Sequence, residues 1–235
     1  MQTTSYAVDT TTSSLGISRK TSLAAGIMYL LTFVSIPSFF LYTPLLEAKY
    51  IATEVEAKQV ITGGLLEIIV GITGIATAVI LYPVLRKQYR TAALGLVATR
   101  VLEAATIFTG VAFLLATVSL QQQGAGSEAT LVGTALVSLY NRIFLLGQSF
   151  LPAINDLLLG YMLWQSRLVP RALSMIGMAG VFPLIAGYLA ILFGFIDQRS
   201  PMAGLSALLV AVFEFSLGIY LIVKGFRTPA ASLQQ

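Results

Sequence analysis

Cysteine and histidine are both absent from this chain of 235 residues, and charge is scarce, at 10% of residues against roughly 25% in soluble domains. The first two absences exclude a disulfide framework, a thiol nucleophile, a Cys/His zinc site and an imidazole-ligated haem. A Ser–His–Asp triad cannot be assembled. Lys20 and Lys224 stand at the ends of apolar runs, and Lys49, Lys58 and Lys87 stand between runs. None is placed to carry a retinal Schiff base. No Gly-rich phosphate loop ending in Lys-Ser/Thr is found either. The residues therefore point to no cofactor, no metal centre and no catalytic set.

What remains is apolar. Hydrophobic residues make up 57% of the chain, and the mean hydropathy is +0.85. A protein of this composition cannot cover itself with polar groups, so its main solvent is lipid. The expected fold is all-α, a polytopic transmembrane helical bundle of about six spans. A span needs about 20 apolar residues, and six stretches qualify. They are residues 21–42 (broken by Pro37), 59–85, 91–120, a fourth that starts between 131 and 145 and ends at 164, 172–196 (with Pro183 inside) and 202–223. The fourth, helical from 131, would outrun a hydrocarbon core of about 30 Å, so it projects beyond the membrane or bends at Pro152. The polar stretch 121–130 reads as an exposed loop. The division expected is a flexible tail at 1–18, a single six-helix domain at 19–225 and a short tail at 226–235. The first run lacks a convincing small-residue cleavage site, and the tail lacks the arginines of a transit peptide.

The net charge is +4, but its placement argues against a nucleic-acid partner, because the basic residues flank the spans instead of forming one stripe. One set of flanks holds nine: Arg19, Lys20, Arg86, Lys87, Arg90, Arg167, Arg171, Lys224 and Arg227. The other holds three: Lys49, Lys58 and Arg199. The positive-inside rule puts both termini in the cytoplasm, as an even number of spans requires. The expected location is the bacterial cytoplasmic membrane. Arg19-Lys-Thr-Ser22 and Arg171-Ala-Leu-Ser174 open similarly, but the likeness fades within a few residues and supports no inverted repeat.

Six ionisable residues fall inside the spans: Glu67, Arg100, Glu103, Arg142, Asp156 and Glu214. Each costs about 2.5–3.5 kcal/mol at the bilayer centre, so each is expected to face the bundle interior, water or a partner. Four acids against two arginines leave a formal charge of −2, which calls for bound protons or a cation. Arg100, Glu103, Asp156 and Glu214 share a depth near mid-membrane, and the reading places them in one cluster. Glu67 lies toward the outer half, and Arg142 snorkels at the outer interface. Asn141, Gln148 and Asn155 are spaced by seven, as are Arg142, Ser149 and Asp156. Together they suggest one continuous polar face about 21 Å long, serving either an interhelical hydrogen-bond network or a wet cavity. Small residues recur along the second span (Gly64, Gly71, Gly74, Ala78), the fifth (Gly180, Gly187, Gly194) and the sixth (Gly204, Ala211, Gly218, Gly225). Close packing is expected there, with the fifth and sixth spans forming a hairpin through Gly187 and Ala211. Tyr29, Phe39, Phe40, Tyr42, Tyr161 and Trp164 are expected in interfacial belts.

Three segments carry a resemblance: RKTSLAAGIMYLLTF from Arg19, TRVLEA from Thr99 and LWQSRLVPR from Leu163. In that order the chain resembles a bacterial six-helix membrane family catalogued as a domain of unknown function, of the DUF4386 type. The resemblance implies the topology and matches Arg100, Glu103 and Arg171 to the family's recurrent pattern. It implies no activity, ligand or site.

Three functional classes stay open. In the first, a proton, small cation or small ligand is bound or transported through Arg100, Glu103, Asn155, Asp156, Glu214 and Glu67. In the second, the protein is a non-transporting sensor or assembly module, with a membrane-protein partner or a second copy, whose polar network is structural. In the third, an intramembrane enzyme would use Glu103 and Asp156 as acid and base, although no nucleophile accompanies them. A cavity reaching Asp156 would favour the first and a dry, fully paired network the second.

Overall fold

A computed structural model describes residues 19–48, 53–123 and 127–227. The tail 1–18, Lys49 and the C-terminal residues from 228 lie outside the described residues. The described chain is helical, and five of its helices are long and apolar enough to cross a membrane. Large apolar side chains face outward on every one of them, among them Ile27, Leu65, Leu102, Leu139, Phe182 and Leu205. That outward apolar surface is what a lipid solvent permits and water does not.

Breaks in the helices follow from identifiable residues. α1 (Arg19–Leu31) passes into a 3-10 turn (Thr32–Ser35), and the chain resumes as two short helices, α2 (Ser38–Leu41) and α3 (Thr43–Ala48). Pro37, between the 3-10 turn and α2, removes a backbone donor. Local hydroxyls bond carbonyls around this break: Thr32 donates to Tyr29 O at 2.6 Å and Ser38 to Ser35 O at 2.7 Å.

α4 (Glu54–Gln122) begins with a capping box, in which Thr53 and Glu56 each bond the other's backbone N–H. At 69 residues a straight helix would be roughly 104 Å long, over three times the hydrocarbon core. It is not straight. Tyr89 has φ −129° and ψ 54°, and there the helix folds back on itself. The first arm (54–88) and second arm (90–122) are antiparallel: a side chain added at Gly64 would meet Val111, one at Gly71 would meet Phe108, and one at Gly74 would approach Arg100. The sequence expectation of separate second and third spans is thus met by two arms of one broken helix.

The fourth crossing departs from a regular α-helix next to Pro152, through a widened turn. α5 (Ser127–Phe144) leads into a π turn (Leu145–Phe150) and then α6 (Leu151–Ser166). Leu151 N donates to Leu146 O, five residues back. Pro152 follows at once; its ring would press on the carbonyl of Gln148 in a regular α-helix, and the widened turn gives that carbonyl room. The loop before α5 is shorter than the sequence suggested, since Gln121, Gln122 and Ser127 to Thr130 are helical.

Arg167, at φ 55°, ends α6, and α7 (Arg171–Leu192) runs unbroken through Pro183. Gly194, at φ +77°, lies beyond the end of α7, so the fifth span is shorter than expected. α8 (Pro201–Val223) is capped by Ser200, whose hydroxyl accepts from Ala203 N. α7 and α8 form the expected hairpin: side chains added at Gly180 and Gly177 would strike Leu209 and Phe213. Gly187 faces Ser206. Ala211 differs from expectation, because it lines a central cavity. Gly218 packs against α1, with a Cβ there falling 2.9 Å from Leu30. The stripe on α8 therefore serves α1 and the cavity, while α7 is met by larger residues.

The two ends are chemically distinct. Arg19 Nη1 donates to Leu221 O at 2.8 Å, and its Nη2 reaches Ile222 O, capping the C-terminus of α8. Arg227 N bonds Leu168 O at 2.8 Å, and Tyr89 stacks edge-on with Tyr161. These ties bring the flanks that carry the nine basic residues to one end, which also holds the larger apolar core around Tyr29, Leu81, Leu163 and Leu217. A second core, around Tyr42, Val60, Leu114 and Tyr140, lies toward the opposite end.

Candidate functional site

Between the two cores lies a polar cluster. Arg100, on the second arm, donates to Glu103 Oε2 at 3.0 Å and to Glu214 Oε1 on α8 at 2.5 Å. The three-residue offset sets the first contact, because residues i and i+3 share a helix face. The close approach of the arms sets Arg100's height: its Cδ lies 3.9 Å from the point where Gly74 would carry a side chain. Asn155 Nδ2 donates to the same Glu103 oxygen at 2.7 Å, and the Thr99 hydroxyl donates to Asn155 Oδ1. The face of Tyr29 lies 6.0 Å from the guanidinium. Charge-assisted bonds of this kind are the strong ones in a low-dielectric interior.

Asp156 is the exception. It is completely buried, and neither carboxylate oxygen has a hydrogen-bond partner. Glu214, Arg100 and Glu103 all act on it electrostatically. Among the described residues, no three acidic side chains are placed to share one metal ion. The four residues assigned to one mid-membrane cluster are thus near one another, with Asp156 as an unbonded member.

A cavity of about 190 Å³ opens beside this cluster. Arg100, Glu103, Glu214 and Gln148 supply its polar wall, and residues such as Val70, Leu184 and Val210 its apolar wall. Two irregular backbone segments flank it: the 3-10 turn of the first span, through Thr32, Phe33 and Ser35, and the end of the π turn, through Gln148 and the adjoining Pro152. Asp156 does not line it; the cavity therefore stops short of Asp156, and the network is not fully paired either, because both Asp156 oxygens lack a partner among the described residues.

Glu67 lies apart from the cluster. Tyr140 donates to its Oε1 at 3.1 Å, while Oε2 is buried without a partner, as is the Tyr42 hydroxyl. The rings of Tyr42 and Tyr140 meet edge-to-face at 5.8 Å. Tyr29 and Tyr42 are buried core residues, which corrects their assignment to an interfacial belt. The signal for Tyr29 was its phase with Ser22, Ala25 and Gly26, all buried on one side of α1. Phe39, Phe40 and Tyr161 are exposed, as a belt requires, and Trp164 stacks under Arg171 at 4.9 Å.

The continuous polar face expected on the fourth crossing does not form. Heptad spacing assumes a regular helix, and the π turn accommodates an additional residue. Facing the second arm are Asn155, against Thr99 and Glu103, and Gly147, against Thr106. They are eight residues apart, not seven. Gln148 consequently turns to the cavity. Asn141 and Arg142 line a separate groove of about 370 Å³ at the opposite end, with Asp197 and Arg199. Arg199 reaches Asn141 Oδ1 at 3.4 Å, and Arg142 is exposed as expected. Ser149 is half-buried and does not line the central cavity.

No curated protein and no solved structure matches the chain. The apolar spans and buried charge cluster make it a multi-pass integral membrane protein. A domain of unknown function (DUF4386) matches residues 24–225, all but the ends of the chain, and the protein belongs to that family.

Proposed function

We propose that this protein binds a proton at Asp156 and a small polar or cationic solute in the adjoining cavity, and that it couples the two in transport across a bacterial cytoplasmic membrane, with its basic end and both termini inside. The observation that carries this reading is the buried, unbonded carboxyl of Asp156. An ionised carboxylate in that position costs several kcal/mol, and a bound proton relieves the cost. Arg100 balances only one of the two glutamates it touches. One excess negative charge therefore stands at the cavity wall, where a protonated amine, a monovalent cation or a second proton would neutralise it. The flanking 3-10 and π segments support the same reading, because irregular backbone at membrane depth is tolerated where it borders a cavity, and discontinuous helices form solute sites in transporters.

The test is infrared difference spectroscopy on the protein in lipid during a pH titration. A protonated-carboxyl stretch that titrates, and that vanishes in Asp156→Asn, is the expected result. A spectrum with no such signal in the unaltered protein defeats the reading. The bonds that join Arg100, Glu103, Asn155 and Thr99 favour a second reading, in which the network is a static brace. That reading expects the carboxyl signal to be independent of pH.

A further inference from the structure

The buried acid of the first arm has no part in the central cluster, yet its surroundings connect that cluster to the end of the molecule opposite the basic one. We infer that Glu67 is a proton-relay site between the groove at that end and the central cavity, an inference that rests on the proton-binding reading above. The groove formed by Asn141, Arg142, Asp197 and Arg199 adjoins a small cavity of about 30 Å³, and Asn141 and Arg199 line both. The small cavity is also lined by Glu67, Tyr42 and Tyr140. It holds one water by volume, and it offers that water several polar partners. Two of them, Glu67 Oε2 and the Tyr42 hydroxyl, are buried with no hydrogen-bond partner among the described residues, and both can bond to a water in this cavity. On the far side, Gln148 lies near the Glu67 carboxyl and also lines the central cavity with Glu103 and Glu214. The fold makes room for this arrangement, since the Tyr42 ring occupies the space a side chain at Gly63 would need.

The transfer balances with O–H bonds alone. A hydronium in the groove passes a proton through the bridging water to Glu67 Oε2, forming the neutral acid. The acid then gives it to water beside Gln148 in the central cavity and returns to the carboxylate. From that water the proton reaches the carboxylates of the cluster. Gln148 is a positioning residue here, because an amide does not accept the proton. The groups facing Glu67 are Tyr42, which follows α2, Tyr140 on α5 and Gln148 in the π turn; Arg199 acts on the same cluster through Tyr140.

The experiment follows the Asp156 carboxyl signal in time after a pH jump at the groove side of uniformly oriented proteoliposomes. Glu67→Gln is expected to reach the full amplitude at least tenfold more slowly than the unaltered protein. In a second arm, Ser138→Cys places the chain's sole thiol in the same groove, and labelling it with a bulky reagent is expected to slow the signal similarly relative to the unlabelled variant. An unchanged rate at full amplitude in Glu67→Gln, or in the labelled cysteine variant should Glu67→Gln fail to fold, overturns the relay while leaving proton binding intact. No Asp156 signal in the unaltered protein overturns both.

Discussion

Arg100 and Glu214 meet at 2.5 Å from positions 114 residues apart in the chain. The same guanidinium holds Glu103 at 3.0 Å. One cation thus ties the second arm of α4 to α8 and is shared by two acids. Arg100→Met is expected to lower stability in mild detergent by about 3–5 kcal/mol, because it leaves buried carboxylates unpaired. Arg100→Ala with Glu103→Ala should recover only part of the loss, since Glu214 remains. Arg100→Met with Glu103→Gln and Glu214→Gln should recover most of it. Equal losses in the single and triple variants, measured by chemical unfolding, would remove the coupling claimed for these pairs.

Asp156→Leu is expected to leave thermal stability unchanged or raised, while the titrating carboxyl signal is lost. Replacing a buried ionisable group by an apolar one of similar volume is often neutral or stabilising by about 1–4 kcal/mol, and residues retained at a cost to stability mark function. A marked fall in melting temperature would instead make Asp156 a structural element.

Close packing separates two small residues that look alike in the sequence. Gly26→Ala would place a Cβ 2.7 Å from the backbone oxygen of Gly218, and Gly187→Leu would drive into Ser206 on α8. Each overpacked variant should lose about 1–3 kcal/mol. Ala211→Leu points into the central cavity and should fold with a smaller loss while obstructing solute binding. Melting curves in detergent, run side by side, would show whether that ranking holds.

Sidedness is open to chemical labelling because the chain has no cysteine. Lys87→Cys lies at the basic end and Glu128→Cys in the first turn of α5. An impermeant thiol reagent applied to intact cells should modify only Glu128→Cys. Modification of Lys87→Cys from outside would reverse the orientation.

The sequence made the spans legible because a lipid solvent demands long apolar runs, and it made the central cluster legible because each mid-membrane charge requires a partner. Arg100, Glu103, Asp156 and Glu214 could be grouped by depth alone, and Asn155 followed from its place on the fourth crossing. The polar face of that crossing was misread for a physical reason. Period-seven counting holds only while each backbone bond spans four residues, and around Leu146 and Leu151 the bond spans five. Tyr29 was readable from its phase with Ser22, Ala25 and Gly26, whereas Tyr42 was hidden: a tyrosine at the end of an apolar run has the same pattern whether its ring meets headgroups or a buried acid. Ala211 and Gly187 differ in partner, not in type, and residue type is all that spacing records.

The clasp of Arg19 on the last carbonyls of α8 spans 202 positions, and it sets an order of events during synthesis. At roughly 5–20 residues per second, about 10–40 seconds separate the appearance of the first helix from that of its partner. Through that interval the Gly26 face of α1 and the guanidinium of Arg19 have no mate within the nascent chain. α1 can therefore pack on α4 early and is closed against α8 late. A chain that stops before Gly218 would hold α1 on its α4 side alone, with the Gly26 face left open to the bilayer.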